Sequence, residues 1–363
     1  MPASGSALST FSTAITVGLP PTSKGGPPVE HKVFELGDFP LQKGSVLPGA
    51  KLGYTTLGQL NDARDNVVVC PTWFTATPSD TAQWMTGANR ALDPQRYFIV
   101  VPNHFGAAVS SSPSNTPPPF DRGRFPHVTT YDNVVAQHRL LTEEFGIERI
   151  RLISSWSMGA CQTYAWAALH PEMIGAIAPI SGSARTANFN KVFLAGNIRA
   201  ITSDPAWNDG FYGEKIPIRG VKAMAALYAG WGFAEPFYRQ EVFRSFGAST
   251  VEEFIDYFWD AFFIKCDAND LLAQMWTWWH NDLGDHPQFG GDFESALGAI
   301  RARTIILNAE TDSYFPPVDS EYEAQHIPGA ESRPIPTIWG HLAPFNPADQ
   351  KFIDAALREL LES

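Results

Sequence analysis

The sequence is poor in cysteine and in charged residues, and it contains no long apolar run. Its three cysteines, Cys70, Cys161 and Cys266, are scattered and form no Cys-x-x-Cys pair, which argues against a disulfide-built domain and favours a reducing, cytoplasmic location. Each continuous apolar stretch is far shorter than the about 18–20 residues of a membrane-spanning helix. We therefore expect neither a membrane partner nor a secreted disulfide scaffold.

Positive charge is also scarce, because 26 Lys and Arg residues face 38 Asp and Glu residues and the net charge is −12. A nucleic-acid partner requires a cationic surface, so we expect none. The histidines show no metal-binding spacing such as His-Glu-x-x-His, and we expect neither a metal nor a cofactor. Aromatic residues make up 13% of the 363 residues, which is typical of a folded chain with a sizeable core and excludes a disordered one.

Residues 1–30 are predicted to form a flexible N-terminal arm. The first 23 residues contain no Lys or Arg and no continuous apolar core, so they do not have the pattern of a signal peptide. They are rich in Ser, Thr, Pro and Gly, which favour irregular structure.

Short apolar runs alternate with helical patterns after this arm. A run that stays apolar on successive residues predicts a strand buried on both faces of a parallel sheet. The alternation therefore predicts an α/β fold with a mostly parallel, doubly wound sheet. The predicted strands are Lys32–Leu36, Ala50–Thr56, Val67–Cys70, Tyr97–Pro102, Ile150–Ile153, Ile174–Ile180 and Thr304–Leu307, and a helix is predicted at Thr130–Phe145.

One region departs from this alternation. From about Asn188 to Phe293 the sequence shows several helical patterns, no convincing strand and six Trp. We predict an α/β core at residues 31–187 and 297–363 that is interrupted by a helical cap at residues 188–296. Loops tolerate such insertions and are also where substrate sites are assembled.

Ser157 lies in the segment Ser155-Trp156-Ser157-Met158-Gly159, directly after a predicted strand and before a helical pattern that runs to Leu169. A strand, a sharp turn, a serine and a helix make up the nucleophile elbow, in which small residues two before and two after the serine permit the turn. Ser155 occupies the first of these positions in place of the usual Gly. Ser157 is therefore a candidate nucleophile, and the alternative is a serine that only caps the helix.

A serine nucleophile needs a base and a third group that orients the base. Downstream, the predicted strand Thr304–Leu307 leads to Asp312, and His341 follows in a loop that we expect after another apolar strand. The chain order serine, acid, histidine is the one found with the elbow. We therefore predict a triad of Ser157, Asp312 and His341. Glu310 is the competing acid, and a plain turn is the alternative role of Asp312.

The triad requires donors that stabilise a developing negative charge on oxygen. The backbone N–H of Met158, next to the candidate nucleophile, is predicted to be one donor of this oxyanion hole. We assign the second donor to the N–H of Trp73, in the loop after Val67–Cys70, and its ring is alternatively a wall of the pocket. The residues predicted to contact substrate are Phe74, Phe105, Trp156 and Arg185. The alternative role of Arg185 is a structural ion pair.

Ordered sequence blocks beyond these residues resemble the homoserine O-acetyltransferase-like branch of the α/β-hydrolase fold. The blocks are Cys70-Pro71-Thr72, Asn103-His104-Phe105-Gly106, Ser110-Ser111-Ser112-Pro113-Ser114, Ser157-Met158-Gly159 with Gln162, Asp204-Pro205-Ala206-Trp207-Asn208-Asp209-Gly210, Asp267-Ala268-Asn269, Asp312 before Phe315-Pro316-Pro317, and Gly340-His341. The resemblance runs from about Phe34 to the end of the sequence. It implies the same triad, a helical cap over the site and a homodimer formed through the cap helices.

Two departures from this branch bear on the reaction. Ala160 stands where similar transferases have a second Gly, and Lys265-Cys266 stand where they have Arg-Phe before Asp-Ala-Asn. A lysine does not replace an arginine fork in gripping a carboxylate. Since the cap is also rich in Trp and Phe, homoserine is not the expected acceptor.

We therefore expect a serine hydrolase that cleaves a carboxylic ester of a small to medium, largely apolar or aromatic substrate through an acyl-enzyme. Its partner is then a small-molecule ester or acyl donor. The alternative is an acyl-CoA-dependent O-acyltransferase, because both reactions acylate the serine and differ only in the second nucleophile. A third interpretation is a non-catalytic binding protein on a hydrolase scaffold.

Overall fold

The computed structural model describes residues 30–362, so the predicted N-terminal arm lies almost wholly outside the described residues. Within residues 30–362, eight strands form one sheet in the order β1-β2-β4-β3-β5-β6-β7-β8. The pairs β1–β2 and β2–β4 are antiparallel and the others are parallel. The strands are β1 Lys32–Pro40, β2 Val46–Leu57, β3 Val67–Val69, β4 Phe98–Pro102, β5 Ile150–Trp156, β6 Ile174–Ile180, β7 Arg303–Ile306 and β8 Glu331–Ser332.

Helices follow most of these strands, which confirms the predicted α/β fold. The helices are α1 Pro78–Met85, α2 Thr130–Arg139, α3 Met158–Leu169, α4 Asn188–Thr202, α5 Ile218–Gly232, α6 Glu235–Arg239, α7 Val251–Phe254, α8 Ala261–Phe263, α9 Ala268–Trp279, α10 Phe293–Gly298, α11 Pro317–His326 and α12 Pro347–Leu361. A wider helical turn at Leu140–Glu144 extends α2, and the predicted helix Thr130–Phe145 therefore covers both segments.

The central strands are buried on both faces, as their continuous apolar sequences predict. Alternate residues point to opposite faces of a strand. Val68 and Leu152 belong to the core layer that also contains α12 and many aromatic residues from the helices between β6 and β7. Val69 and Ile153 belong to the layer beneath α2 and α3. The sheet thus separates two apolar cores, and the carboxyl ends of its parallel strands meet at one edge.

Helices α4 to α10 lie between β6 and β7 in the chain, and the described residues of this segment contribute no strand to the sheet. Their apolar faces pack largely on one another through aromatic rings, for example Phe233 against Phe237 at 3.9 Å and Phe254 against Phe258 at 4.9 Å between ring centroids. Trp339, from the core, packs on Phe233 and joins this cluster. The division of the chain at residues 187 and 296 stays a prediction.

The apolar strand that we expected directly before His341 is not formed. Strand β8 lies earlier, at Glu331–Ser332, and Ile335 makes only a single bridge with Ala309. The N–H groups of Arg333 and Ile335 still donate to the carbonyl oxygens of Ile306 and Asn308, at 2.8 and 2.9 Å. Pro334 and Pro336 alternate with them and have no N–H, so the outer side of this edge offers no ladder, and the backbone pairing ends at Ile335. The chain therefore reaches His341 through an irregular loop and a 3₁₀ turn at Gly340–Phe345.

Among the helices of residues 30–362, none combines the length and the apolar character that crossing a bilayer requires.

A carboxyl group is buried beneath the end of β6. Glu323, on α11, is 2% exposed. Its two oxygens accept hydrogen bonds from the Tyr164 hydroxyl at 2.6 Å and from the Ala184 N–H at 2.7 Å. Burial raises the pKa of Glu323 to about 8, because the ionised form loses its hydration.

Glu323→Gln should therefore stabilise the protein more at pH 9 than at pH 5, relative to the wild type. The wild type loses stability as the pH rises from the carboxyl pKa of the unfolded chain, near ~4.3, through the folded value of about 8. Between pH 5 and pH 9, the free energy of unfolding of the wild type should therefore fall by roughly 2–4 kcal/mol relative to that of Glu323→Gln. Urea unfolding at pH 5, 7 and 9 measures it. Glu321→Gln, at an exposed position of the same helix, is the control and should show no such trend; an equal trend in both variants contradicts the assignment.

Candidate active site

Ser157 occupies the sharp turn between β5 and α3, with φ 58° and ψ −128°. A positive φ is unusual for a residue other than Gly and marks a strained backbone. The turn needs small neighbours, since a Cβ atom at Gly159 would lie 2.5 Å from the Pro71 carbonyl oxygen. The Ser157 side chain makes no helix-capping hydrogen bond, so the alternative of a simple cap is wrong.

The Ser157 hydroxyl instead faces His341. The distance from Ser157 Oγ to His341 Nε2 is 2.9 Å, and His341 Nδ1 lies 2.8 Å from Asp312 Oδ2. All three residues are buried, each 4% exposed. An ionised carboxylate only accepts hydrogen bonds, so Nδ1 carries the proton and Nε2 presents its lone pair to the serine hydroxyl. The structure thus brings the three residues of the predicted triad together.

Asp312 has two functions in this arrangement, one for each oxygen. While Oδ2 contacts His341, Oδ1 accepts the backbone N–H groups of Tyr314 at 2.8 Å and Phe315 at 3.1 Å. The turn that we considered as an alternative is therefore present and holds the carboxylate in place. Glu310, the competing acid, is exposed, and no contact between it and His341 is observed in the described residues.

The Trp156 side chain fixes the backbone of the histidine. Its indole Nε1–H donates to the His341 carbonyl oxygen at 3.0 Å, and the two rings lie 4.7 Å apart. Trp156 also lines the cleft above Ser157, as predicted. Because it directly precedes Ser157, one local segment both presents the serine and orients the histidine.

Two predicted oxyanion donors are free in the described part of the chain. The N–H groups of Trp73 and Met158 have no acceptor there, and neither does the N–H of Phe74. Gln162 Nε2 donates to the Thr72 carbonyl oxygen at 2.9 Å and to the Met158 carbonyl oxygen at 3.3 Å. In a trans peptide the C=O and the next N–H point in opposite directions. Gln162 therefore sets the direction of the Trp73 N–H.

A narrow cleft of about 80 Å³ opens above Ser157 and His341. Asp80 is its one carboxylate among the described lining residues, and no Lys or Arg side chain in the described part of the chain lines it. Most of its walls are aromatic. The aromatic side chains are those of Trp73, Phe74, Trp156, Tyr228, Phe258, Trp259, Phe262, Phe263, Trp278, Tyr314 and Phe345. The ring of Trp73 is thus a wall of the cleft, in addition to any role of its N–H.

Two of the four predicted substrate contacts do not reach this cleft. Phe74 and Trp156 line it. Phe105 is fully buried in the opposite core layer, with its ring 5.4 Å from that of Phe39. Arg185 is exposed, and its guanidinium lies 3.9 Å from the ring centroid of Phe293. Both follow a core strand in the sequence, but the chain turns them away from the serine.

Six of these eleven aromatic side chains come from the segment between β6 and β7 and were not predicted residue by residue: Tyr228 on α5, Phe258 and Trp259 in the helical segment Ile255–Asp260, Phe262 and Phe263 on α8, and Trp278 on α9. The richness of the cap in Trp and Phe was the available signal, but it does not tell which rings face the serine. Cys161, one turn beyond Ser157, is buried, and burial raises the pKa of its thiol to about 12, so it remains a neutral thiol. Within residues 30–362, no three His, Cys, Asp or Glu side chains cluster so as to hold a metal ion.

Comparison with known proteins identifies the family. The family model described as alpha/beta hydrolase fold matches residues 65–346. The chain belongs to the α/β-hydrolase fold family. It is 38% identical over 339 residues to the ethyl acetate hydrolase of Pseudomonas veronii, a match that covers 92% of this chain and 97% of that protein.

Two further relatives define its place in the family. The homoserine O-acetyltransferase of Chlorobaculum tepidum is 31% identical over 83% of this chain and 86% of that protein. The crystal structure of an acetylester hydrolase from Corynebacterium glutamicum superposes with a TM-score of 0.89 at 36% identity, covering 92% of this chain and 96% of that one. The resemblance to the homoserine O-acetyltransferase-like branch is therefore confirmed, and esterases belong to the same group of relatives.

The hydrogen bonds of His341 predict that Ser157 is unusually reactive. A fluorophosphonate probe should label Ser157, and Asp312→Asn should lower the labelling rate by about 10⁴-fold, because the imidazole then adopts the wrong tautomer. Intact-mass kinetics with peptide mapping measure this rate. Glu310→Gln is the matched control and should label like the wild type. Equal losses in the two variants, or a label on Cys161, would contradict this prediction.

Proposed function

We propose that the protein is a carboxylic ester hydrolase that acts through an acyl-enzyme on Ser157. The observation that carries the proposal is the buried chain of hydrogen bonds from Ser157 through His341 to Asp312. An alcohol is a weak nucleophile at neutral pH, and a neutral imidazole held in one tautomer supplies the missing base.

The first half of the reaction forms the acyl-enzyme. Ser157 Oγ attacks the ester carbonyl carbon while its proton moves to His341 Nε2, and Asp312 stabilises the resulting imidazolium. The N–H groups of Trp73 and Met158 hold the negative carbonyl oxygen. The C–O bond to the alcohol then breaks, and His341 returns its proton to the departing oxygen.

The second half releases the acid. A water molecule gives a proton to His341 Nε2 and attacks the acyl carbon, through a second tetrahedral intermediate in the same oxyanion hole. When the bond to Ser157 Oγ breaks, His341 returns the proton to that oxygen. The carboxylic acid leaves, and the hydrogen-bonded chain is restored.

We infer that the substrate is an ester with small apolar groups. The cleft walls offer many rings and few polar partners, so a charged substrate would lose hydration without compensation. The relatives named for ethyl acetate and acetyl ester hydrolysis support short acyl chains.

The alternative is acyl transfer from an acyl-CoA, and the charges near the cleft argue against it. Coenzyme A carries several negative charges and needs a basic entrance. The cap carries basic residues, but no Lys or Arg of the described chain lines the cleft, whereas Asp80 does. A simple ester is therefore the favoured acyl donor.

Esterase assays test this proposal. The wild type should hydrolyse p-nitrophenyl acetate with a kcat/KM at least about 10-fold above that for the octanoate, because the cleft accommodates few methylene groups. Ser157→Ala should lower kcat by about 10⁶-fold. Acetyl-CoA should not acylate Ser157, and this is measured by intact mass in the presence and absence of an alcohol panel. Full activity of Ser157→Ala, or faster acylation by acetyl-CoA than by the ester, would overturn the proposal.

We also propose that two copies of this chain associate through the cap. Supporting this, Phe189 and Val192 on α4 are 59% and 65% exposed, and Leu227 on α5 is 40% exposed. Leu227 lies against α4 at Gly196, and Phe189 contacts Trp231, so these side chains form one apolar surface. A second copy with the same surface would cover it.

Light scattering after size exclusion tests the dimer. The wild type should elute as a dimer, and Val192→Glu should convert it to monomer, because a charge would be buried at the interface. Val33→Glu, at an exposed apolar position on the edge strand β1, is the control and should leave the dimer intact. A monomeric wild type contradicts the proposal.

A further inference from the structure

The loop between β3 and α1, residues 70–77, contains a strained residue next to the proposed oxyanion donor. Thr75 has φ 68°, and a β-branched residue with a positive φ is an outlier. The Ala76 N–H donates to the Trp73 carbonyl oxygen at 3.0 Å, so residues 73–76 form a tight turn with Thr75 in third place. Turns with a positive φ at that place ordinarily have Gly there. Within the loop, the Thr75 hydroxyl donates to the Phe74 carbonyl oxygen at 2.5 Å. A further contact, with the Thr75 backbone, comes from outside the loop.

Gln274, on cap helix α9, is the side chain that makes this contact. Its Oε1 accepts the Thr75 N–H at 2.8 Å, across 199 residues of sequence. Its Nε2 donates to the Gly106 carbonyl oxygen at 3.1 Å and to the Asp270 carbonyl oxygen at 3.1 Å. Gln274 is 3% exposed. Each of its two amide atoms is thus engaged, and the orientation of the amide is determined by these partners.

His104 fixes the same oxygen from the core. Its ring is fully buried, and Nε2 lies 3.1 Å from Gln274 Oε1 while Nδ1 lies 2.8 Å from Thr72 Oγ1. Burial lowers the pKa of His104 to about 4, so the ring is neutral at physiological pH. Because Gln274 Oε1 can only accept, the single ring proton is on Nε2. His104 therefore contacts the loop at Thr72 and, through Gln274, at Thr75.

We propose that Gln274 is a positioning residue that couples cap helix α9 to the oxyanion hole by holding Thr75 in its left-handed conformation. Trp73 begins the turn in which Thr75 is third, so relaxation of Thr75 would release the Trp73 carbonyl oxygen from the Ala76 N–H. Trp73 would then be held only on the side of its N–H, by Gln162 at the Thr72 carbonyl oxygen. Without the Gln274 oxygen, the Thr75 N–H would also be left without its acceptor. The oxyanion hole is then assembled only when α9 is docked on the core. This inference rests on the proposed ester hydrolysis and on the proposed role of the Trp73 N–H.

A rescue experiment tests the coupling, because Gly adopts a positive φ without strain. Gln274→Met should lower kcat for p-nitrophenyl acetate by about 10-fold with less than about a 2-fold change in KM, since a displaced donor is lost mainly in the transition state. In a Thr75→Gly background the same Gln274→Met change should lower kcat by less than about 3-fold. A structural role of Gln274 in the cap alone would give the same factor in both backgrounds.

Thr277→Val is the matched control on the same helix. It removes a buried hydrogen bond from α9 to the Val128 carbonyl oxygen, 2.7 Å long, but has no contact with the β3–α1 loop in the described residues. It should lower the unfolding temperature as Gln274→Met does and change kcat by less than about 2-fold. If Gln274→Met does not fold, Gln274→Asn, which withdraws the amide by one methylene, serves the same comparison.

The outcomes separate this inference from the proposed function. An inactive wild type, or an active Ser157→Ala, overturns the ester hydrolase itself. Two outcomes with an active wild type overturn only the role of Gln274. In the first, Gln274→Met changes kcat no more than Thr277→Val does. In the second, Gln274→Met lowers kcat by the same factor in the wild-type and in the Thr75→Gly background.

Discussion

The imidazole of His341 joins parts of the chain that are far apart in sequence, and the rest of the site depends on its two hydrogen bonds. Asp312, after β7, fixes which nitrogen carries the proton, and Ser157, after β5, receives the lone pair of the other. Neither bond would have a defined direction if the loops could move. The turn after Asp312 holds its carboxylate, and the Trp156 indole holds the backbone of His341. The sharp turn at Ser157 fixes the position of its hydroxyl. The strain is stored where the chemistry needs it and is offset by the packing of the sheet.

Buried amide side chains fix the loop between β3 and α1, as Asp312 fixes the ring of His341. Gln162, from the helix that follows the serine, orients the peptide before Trp73. Gln274, from the cap, holds the peptide before Thr75. A glutamine has both a donor and an acceptor, so it can clamp backbone groups without introducing a charge into a cleft whose walls are apolar. The segment between β6 and β7 thereby supplies six aromatic rings of the cleft and one support of the loop between β3 and α1.

Local features of the sequence predicted much of the site. The elbow, the strand ends and the chain order pointed to Ser157, Asp312 and His341, because a tight turn and a triad impose residue types at particular places along the chain. The same approach failed for Phe105 and Arg185. A position after a core strand places a residue near the correct edge of the sheet, but it does not decide toward which side the following loop turns. The apolar strand expected before His341 was likewise wrong, because the backbone pairing of that segment ends at Ile335 and the chain then leads into the 3₁₀ turn that contains His341.

The sequence by itself determined the α/β class, the two-sided burial of the central strands and the candidate nucleophile, since these follow from periodicity and from steric needs of neighbouring residues. Only the tertiary structure decided which rings face the serine and which glutamine meets Thr75. The physical reason is distance along the chain: residues 75 and 274 are 199 positions apart. Hydrogen bonds between such residues depend on how α9 docks on the core, and no local pattern encodes that docking.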